Sequence, residues 1–300
     1  DQPNEYDAWD LDEHYRGPAR PLTGVDSATW DRGADGSVTV TVRRHFGRSR
    51  AEQRTTVRPK TAAVDFTTTV DWHEANRLLK ARFAVDVLAD QSSSEIQFGH
   101  VRRPTHANTT WDAVKFEICA HRWVHVGEAG FGVAVANDST YGHDVHRLDG
   151  DGRPGTSIGL SLLRAPQFPD PATDQGRHSF SYRLVAGADV AAAVQAGYEL
   201  NVPVRVVAGA GPVAPLVAVD GPGVLVESVK LADDRSGDVV VRLYESLGGR
   251  ATARVTWSFA VARAVVADLL ERELEPSSGT DAAELAFRPF QIITLRLTRA

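Results

Sequence analysis

Apolar and polar residues alternate with a period of two in segments that recur along this 300-residue chain. Consecutive side chains of a β-strand point to opposite faces, so this alternation is typical of strands that bury one face. The clearest segments lie at residues 38–43, 79–87, 115–121, 239–243, 255–259 and 293–297. The members that we expect to be buried include Phe83, Val85, Phe116, Ile118, Trp257 and Phe259. The chain is therefore predicted to consist mainly of strands.

Helical patterns are scarce in the sequence. Only residues 189–200 and 265–274 combine helix-favouring composition with a loosely helical spacing. Many strands with few helices between them favour an antiparallel sandwich over a doubly wound parallel sheet. The predicted fold class is therefore all-β.

Residues 206–223 interrupt the alternation, because glycine, proline and alanine replace the charged residues there. We interpret this segment as the neighbourhood of a domain boundary. The predicted organisation is a connecting strap over 1–30, a large β-sandwich over 31–215 and a small β domain over 216–300. A length of 300 residues exceeds the usual domain size of about 100 to 150, which fits this division.

Charge and hydropathy argue against two classes of partner. The chain carries 33 basic and 39 acidic residues, a net charge of −6, and no run of five or six like charges. We therefore expect no nucleic acid partner. The apolar runs are short and interrupted by charges, well below the roughly 20 residues of a membrane-spanning helix. We expect no membrane partner either.

A single cysteine, Cys119, lies in an apolar strand-like run, where we expect a buried small hydrophobe rather than a reactive thiol. One cysteine excludes an internal disulfide and favours a reducing compartment, which predicts a cytoplasmic location. Residues 1–10 have no basic or apolar segment, and the chain has no methionine. We therefore expect no signal peptide, and a chain that is a piece of a longer or processed product.

Two local motifs invite catalytic interpretations that their context does not support. GTSIG at 155–159 matches the G-x-S-x-G nucleophile elbow, but an extended run follows where a helix is required. We predict a turn before a strand there, and no nucleophilic role for Ser157. His121 and His125 lie in a strand-like segment, where four residues span roughly 13 Å. That is too far for two side chains to share one metal ion at about 2 Å each.

The DWHE segment supplies two carboxylates, Asp71 and Glu74. The carboxyl pair of a retaining glycosidase must face each other across a sugar at roughly 5 to 5.5 Å. The segment leads directly into a strand, and we assign Asp71 and Glu74 a structural role, with Arg77 or Lys80 as ion-pair partners.

The segments least like generic β sequence resemble one enzyme family. In chain order they lie at residues 7–15 (DAWDLDEHY), 70–87 (VDWHEANRLLKARFAVDV), 95–142 (beginning EIQFGHVRRPTHANTTWD), 160–182 (beginning LSLLRAPQFPDP), 198–203 (YELNVP) and 239–246 (VVVRLYES). This co-linear series resembles glycoside hydrolase family 38, in its cytosolic and vacuolar branch of α-mannosidases. The similar part of that family is its carboxy-terminal sandwich region.

The resemblance implies a large antiparallel sandwich of the mutarotase-like super-sandwich type, followed by a smaller β-sandwich domain. It also implies retaining hydrolysis of terminal α-mannosides by an aspartate nucleophile, an acid/base carboxylate and a divalent metal ion, usually zinc. The family places these groups in an amino-terminal catalytic barrel, and none of their motifs occurs in this sequence. We therefore expect no catalytic residue, no metal ligand and no cofactor in this chain, and no activity of the isolated segment.

The implied partners are the enzyme's own catalytic barrel and a mannose-containing oligosaccharide, and a homo-oligomer is also possible. Three functional hypotheses stay open on the sequence. The chain is the part of an α-mannosidase that shapes its pocket, a stand-alone carbohydrate-binding β-sandwich, or a pure structural scaffold. An upstream barrel in the same coding sequence would separate the first hypothesis from the second.

The richest polar segment, HVRRPTHANTTWD, offers Arg102, Arg103, His106 and Trp111 as substrate-pocket candidates. Arginine binds hydroxyl groups directionally, and a tryptophan ring packs on the apolar face of a pyranose. A structural loop with an Arg–Asp pair and a packed tryptophan is the alternative. Adjacent residues of an extended run point to opposite sides, so we expect one arginine to be structural and the other to face the pocket. Arg103 is favoured, because Pro104 stiffens the backbone beside it.

Two further candidates lie in NDSTYG, which follows the strand-like FGVAVA. Asp138 and Tyr141 are expected at a strand end, where they could reach the rim of a pocket. An ordinary turn is the alternative, since turns use the same residue types.

Overall fold

Antiparallel strands make up most of the regular structure. The computed structural model describes residues 6–9, 11, 19–148, 154–209, 211–276 and 279–300. The chain divides into a first unit, Asp1–Glu95 with Val101–Val204, and a second unit, Ile96–His100 with Arg205–Ala300. Of the predicted strap, residues 1–5, 10 and 12–18 lie outside the described residues. The predicted domain limits at residues 30 and 215 stay predictions.

The elements before residue 205 are β1 (Ser27–Arg32), β2 (Val38–Phe46), β3 (Ser49–Val57), β4 (Ala63–Trp72), β5 (Leu79–Val85), β6 (Gln91–Ile96), β7 (Gly99–Pro104), α1 (Thr110–Ala113), β8 (Ile118–Cys119), β9 (Trp123–Glu128), β10 (Phe131–Asn137), β11 (Gly142–Leu148), β12 (Gly155–Leu163), β13 (Gly176–Ala186) and α2 (Val190–Asn201). Among the described residues these strands form two sheets. Sheet A has the order β1-β2-β3-β4-β13-β10-β9-β6-β7, and sheet B has the order β5-β12-β11-β8.

Sheets A and B pack face to face in the first unit. Phe66 of β4 and Tyr182 of β13 each contact Phe83 of β5, with ring centroids 5.6 and 6.2 Å apart. Two buried clusters join side chains of both sheets, and their members include Val70, Trp72, Leu160, Leu162 and Phe180 in one and Val124, Val126, Val133, Val135 and Ile158 in the other. The predicted large antiparallel sandwich is confirmed.

The second unit is a smaller sandwich. Its strands are β14 (Val217–Asp220), β15 (Val224–Leu231), β16 (Val239–Glu245), β17 (Ala251–Trp257), β18 (Val261–Ala267), β19 (Glu273–Pro276), β20 (Ala282–Phe287) and β21 (Ile292–Arg299). Within the described ranges they form sheet C, β14-β17-β20, and sheet D, β15-β16-β21-β18-β19. Leu243 and Leu295 of sheet D share one buried core with Val255 and Phe287 of sheet C. The predicted small β-sandwich is confirmed.

Helix α2 confirms the helix predicted at 189–200. Asp189 lies at its N-cap and accepts a hydrogen bond from the backbone N–H of Ala192 at 2.8 Å. Such a cap satisfies one of the free donors of the first turn. The buried side of the helix consists of Ala193, Val194, Ala196 and Gly197. No helix in the described ranges is long and apolar enough to cross a membrane.

The helix predicted at 265–274 is wrong. Val265 lies in β18 and is buried against β21, and Glu273 begins β19. Between the two strands, Asp268 Oδ1 accepts hydrogen bonds from the backbone N–H groups of Leu270 and Arg272, both at 2.9 Å. The β-branched valines fit a half-buried sheet, and this pairing outweighs the helix-favouring composition of the segment.

The alternation gave the correct side for Phe83, Val85, Trp257 and Phe259, which pack against the core clusters, but it did not give the depth of burial, and neither Phe116 nor Phe259 lies in a strand. All six residues expected in the core are only half-buried: Phe83, Val85, Phe116, Ile118, Trp257 and Phe259. Cys119, expected to be buried, is exposed. It lies in β8 at the edge of sheet B, where Ile118 is half-buried and Cys119 faces outward.

The core-facing side of sheet A extends beyond the area that sheet B covers. Trp30 pairs with Val40, Val40 with Thr55, and Thr55 with Phe66. Directly paired residues of antiparallel strands point to the same side of a sheet. Trp30 and Val40 are therefore on the side where Phe66 contacts Phe83 of sheet B.

Three apolar residues of this extension remain exposed, and we call them the apolar strip. Trp30 is 71% exposed, Val57 is 44% exposed and Val40 is 40% exposed. Val57 lies on the same side, because it pairs with Val38, two residues from Val40. The described residues leave this part of the core-facing side open.

Substituting a core leucine tests the sandwich of the second unit. Leu243→Ala should lower the free energy of unfolding by about 2 to 5 kcal/mol, because Leu243 is fully buried and the change leaves a cavity. Leu231→Ala is the matched control, since Leu231 is 63% exposed, and should change the free energy by no more than about 0.5 kcal/mol. Urea unfolding measures both, and equal losses would mean that the core is assigned incorrectly.

Candidate functional site

Charged side chains collect on the outer side of sheet B. Leu160 of β12 is buried in the sandwich core, so its neighbours Gly159 and Ser161 point to the other side. Asp144 pairs with Gly159, and Lys80 pairs with Ser161. The strand register therefore brings a lysine and an aspartate to one place, on the side away from the core.

Lys80 lies between two carboxylates. Its Nζ is 2.5 Å from Asp144 Oδ2 and also bonds to Glu117 Oε1. Ser161 Oγ donates to Glu117 Oε1 at 2.6 Å, and His146 Nδ1 lies 3.0 Å from Asp144 Oδ1. We call Lys80, Glu117, Asp144 and His146 the lysine-centred cluster. It joins β5, β11 and the segment before β8.

The lysine-centred cluster is largely shielded from water. The Asp144 side chain is fully buried, and the side chains of Lys80 and Glu117 are 10% and 18% exposed. Burial favours the neutral acid, but the His146 hydrogen bond and the Lys80 charge outweigh it and hold the pKa of Asp144 below its usual value. Asp144 therefore stays an anion, and Lys80 is its counter-ion.

Two glycines make room for these charges. A Cβ at Gly159 would overlap Asp144 Oδ2 and lie 3.0 Å from Lys80 Cε. A Cβ at Gly142 would lie 2.8 Å from Glu117 Oε2. Real Cβ atoms do not come this close to a carboxylate oxygen, so any larger residue at either position would displace the cluster.

Segment 104–117 covers the lysine-centred cluster and encloses a small pocket of about 40 Å³. Arg103, His106 and Asp112 line it together with Asp144 and His146 of the sheet. Two of the residues that the sequence singled out, Arg103 and His106, are thus brought together.

Arg103 faces this pocket, and Arg102 does not line it. Burial lowers the pKa of Arg103, and its Nη1 is buried without a hydrogen-bond partner in the described part of the chain. Arg102 is exposed, and the described residues contain no ion pair for it. His106 Nδ1 lies 3.8 Å from Asp112 Oδ2. Arg103 therefore has a donor that is free for an acceptor outside the described residues.

The other candidates lie outside this pocket. Trp111 of α1 is 79% exposed, so the packed tryptophan considered as an alternative is absent. Asp138 follows β10 and accepts hydrogen bonds from Ser181 N at 3.0 Å and Ser139 Oγ at 2.7 Å, as a turn residue does. Tyr141 is 61% exposed, with its ring 5.1 Å from that of His121. Substrate contacts by these residues stay predictions.

The pairing expected for Asp71 and Glu74 is wrong. Asp71 pairs with His73 at 2.9 Å, and Glu74 accepts hydrogen bonds from Arg48 N and Ser49 Oγ, both at 2.8 Å. Both carboxylates are still structural. Lys80 lies in β5 of sheet B, whereas Asp71 lies in β4 of the opposite sheet, sheet A.

The remaining motifs have structural explanations. GTSIG is the beginning of β12 rather than a turn before it, and Ser157 is fully buried within that strand. His125 lies in β9, with Nε2 2.8 Å from the carbonyl oxygen of Ala188. In the part of the chain that the structure describes, no three His, Cys, Asp or Glu side chains are grouped so that they could hold a metal ion.

An open cleft of about 540 Å³ lies beside Glu117. Its lining combines apolar and polar side chains, among them Trp9, Phe116, Glu117, Thr140, Ser161, Arg164 and Asp174. Sequence reasoning missed both this cleft and the lysine-centred cluster. The only signal for the cluster was Lys80, a charged residue on the polar face of an alternating strand. In the sequence, such a residue cannot be told apart from a solvated surface residue.

Comparison with known proteins identifies the family. Residues 1–172 match the family described as "Glycosyl hydrolases family 38 C-terminal domain", and residues 223–295 match "Glycosyl hydrolases family 38 C-terminal beta sandwich domain". The chain is 36% identical to Alpha-mannosidase 2C1 of Homo sapiens over 99% of its length, and that alignment covers 29% of the human protein. It is 32% identical to Alpha-mannosidase of Saccharomyces cerevisiae over 79% of its length, which is 24% of the yeast protein. The chain thus spans less than a third of these curated relatives.

A solved structure shares the fold. The alpha-mannosidase from Enterococcus faecalis V583 superimposes with a TM-score of 0.71 at 18% identity, over 91% of this chain and 35% of that one. The first family match alone covers more than half of the chain. The protein therefore belongs to glycosyl hydrolase family 38, of which this chain represents the C-terminal region.

Proposed function

We propose that this chain is the carboxy-terminal portion of a retaining α-mannosidase that hydrolyses terminal α-D-mannosides. In this proposal the chain packs on the catalytic barrel and completes it, without carrying out the chemistry. The observation that carries the proposal is the family match over 1–172, together with 36% identity to a protein named as an α-mannosidase.

The lysine-centred cluster does not suit the catalytic step itself. Retaining hydrolysis needs two carboxyl groups that face each other across the sugar, and this family also needs a divalent metal ion. Glu117 and Asp144, the carboxylates of the lysine-centred cluster, share Lys80 as counter-ion and leave no room for a sugar between them. The sequence motifs of the family's metal ligands do not occur in this chain either. We therefore assign nucleophile, acid/base and zinc to the remainder of the enzyme.

The apolar strip supports packing against that remainder. Trp30, Val40 and Val57 extend the core-facing side of sheet A and are exposed in the described chain. Exposed apolar patches of this kind commonly mark surfaces that another protein region covers. The human relative is more than three times as long as this chain, since the alignment covers 29% of it. The barrel of the same polypeptide is the occupant that we propose.

Arg103 is the residue that we propose for contact with the catalytic pocket. Its Nη1 is buried without a partner among the described residues, which is costly unless another group supplies an acceptor. A sugar hydroxyl or a carboxylate of the barrel would supply one. A mannose-containing oligosaccharide as substrate and a cytoplasmic location, favoured by the single cysteine, belong to the same proposal.

Activity assays test the proposal directly. The 300-residue chain should not hydrolyse aryl α-mannosides, because it lacks the nucleophile and the metal ligands. The full-length enzyme should hydrolyse them, and a chelator should abolish turnover until a divalent ion is added back. Chelator-sensitive turnover by the isolated chain, or an inactive full-length enzyme, would contradict the proposal.

Substituting the two arginines separately in the full-length enzyme tests the role of Arg103. Arg103→Ala should lower kcat/KM roughly ten- to hundredfold, the effect of losing one charge-assisted hydrogen bond of about 1.5 to 3 kcal/mol. Arg102→Ala is the matched control and should keep kcat/KM near that of the wild type, because Arg102 is exposed. Unchanged kcat/KM in both variants would favour the scaffold hypothesis.

A further inference from the structure

The open cleft beside Glu117 has unsatisfied polar atoms that the rest of the described chain does not explain. Glu117 uses Oε1 for both Lys80 and Ser161, and Oε2 accepts no hydrogen bond from a described residue. Thr140 Oγ1 is buried and also has no hydrogen-bond partner. Both residues line the cleft. A buried polar atom without a partner costs free energy, so Thr140 Oγ1 indicates a ligand, and Glu117 Oε2 is an acceptor that such a ligand could use.

Both polar groups are held in fixed positions. Lys80 and Ser161 hold the Glu117 carboxylate, and Gly142 leaves the space that its Oε2 occupies. The backbone N–H of Thr140 donates to Asn137 Oδ1 at 3.0 Å, which fixes the turn that presents its hydroxyl group. Groups that are already ordered lose little entropy when a ligand binds, so the site is preorganised.

An aromatic wall lies on another side of the cleft. The buried carboxylate of Asp7 accepts hydrogen bonds from the backbone N–H groups of Gln167 at 2.6 Å and Phe168 at 2.9 Å. The ring of Trp9 packs edge-on against Tyr6 and Phe168, with centroids 6.4 and 6.1 Å away. Trp9 nevertheless remains 69% exposed. Its position is thus fixed while most of its surface is free for contact.

Charge selects the class of ligand. Glu117 and Asp174 oppose Arg164 in the lining, so an anion would be repelled. Both carboxylates of the lining are already engaged, because Glu117 shares Lys80 with Asp144, and Asp174 Oδ2 accepts hydrogen bonds from two backbone N–H groups. A neutral ligand with hydroxyl groups on one side and an apolar face on the other fits best. A pyranose ring has both.

We propose that this cleft is a saccharide-binding subsite. Trp9 covers the apolar face of a pyranose, and Glu117 Oε2 and Thr140 Oγ1 bind its hydroxyl groups. A volume of about 540 Å³ lies within the usual range of small-molecule sites, about 300 to 1,000 Å³. The subsite deepens the proposed function, on which it rests for the choice of mannosides as ligand. It is separate from the Arg103 pocket, which Trp9 and Thr140 do not line.

Ligand-observed NMR on the 300-residue chain tests the subsite, with methyl α-D-mannopyranoside and an α-linked mannotriose as probes. An open site for one or two sugar rings should bind with a Kd of about 1 mM. Saturation transfer should therefore reach the ring protons of both probes. Absence of transfer at saccharide concentrations well above that Kd would overturn the inference.

Two variants locate the binding. Trp9→Ala should weaken it roughly tenfold, because the apolar face of the sugar loses its contact. Trp30→Ala is the matched control, since Trp30 is 71% exposed but belongs to the apolar strip. Thr140→Val keeps the shape of the side chain and should weaken binding roughly three- to tenfold. Binding that both Trp9→Ala and Thr140→Val leave unchanged, or that Trp30→Ala weakens equally, would overturn the assignment.

The melting temperature separates binding from folding. Thr140→Val removes a buried hydroxyl group without a partner, so its melting temperature should be equal to that of the wild type or higher. Weaker binding together with a lower melting temperature would show a structural role instead. An active full-length enzyme without binding at the cleft would contradict only this inference. Binding at the cleft with an inactive full-length enzyme would contradict only the proposed function.

Discussion

The apolar side of every strand in this chain must be covered, and in the first unit the two facing sheets differ in size. Among the described residues, sheet A has nine strands and sheet B has four. Where the sheets overlap, Phe66, Phe83 and Tyr182 form an aromatic contact between them. Where sheet A continues alone, the same side of the sheet becomes the apolar strip. One geometric mismatch thus produces both the core and the surface that we assign to the catalytic barrel.

On the outer side of sheet B the cost is desolvation, because this side holds charged rather than apolar residues. Two carboxylates and one lysine lose most of their hydration when segment 104–117 covers them. Their mutual attraction repays that cost only approximately, whereas removal of one partner would leave a buried charge and cost about 3 to 5 kcal/mol. The lysine-centred cluster therefore contributes more to the position of segment 104–117 than to net stability. The cluster can form only because Gly142 and Gly159 have no side chain in the space that its carboxylates occupy.

The sequence was sufficient for the fold class because alternation reports which side of a strand faces the core. The sequence was not sufficient to predict how deeply each side chain is buried, since the extent of the covering sheet depends on residues far away in the chain. Phe83 and Trp257 are half-buried for this reason. Local propensity failed at 265–274, where pairing with β21 determined the conformation. It succeeded for α2, where a capping aspartate and a run of alanines agree with the packing.

The site was harder to predict, because its residues meet only through strand register. Arg103 and His106 could be singled out because they lie in one short polar segment, and both line the small pocket, but their contact with substrate stays a prediction. Lys80 and Asp144 were missed, because they lie on β5 and β11, two strands apart, and each looks like a surface residue in its own strand. The register that joins them follows from the whole of sheet B, and no pattern within either strand contains it.

Phe116 connects the two cavities of the first unit. It lines the small pocket that contains Arg103 and also the open cleft that contains Trp9. The next residue, Glu117, is tied to Lys80 and Ser161, so the backbone that carries the phenylalanine is held against sheet B. Because protein interiors are close-packed, a shift of segment 104–117 would change both cavities together. In the function that we propose, segment 104–117, which Lys80 holds through Glu117, would thereby control how the saccharide is held.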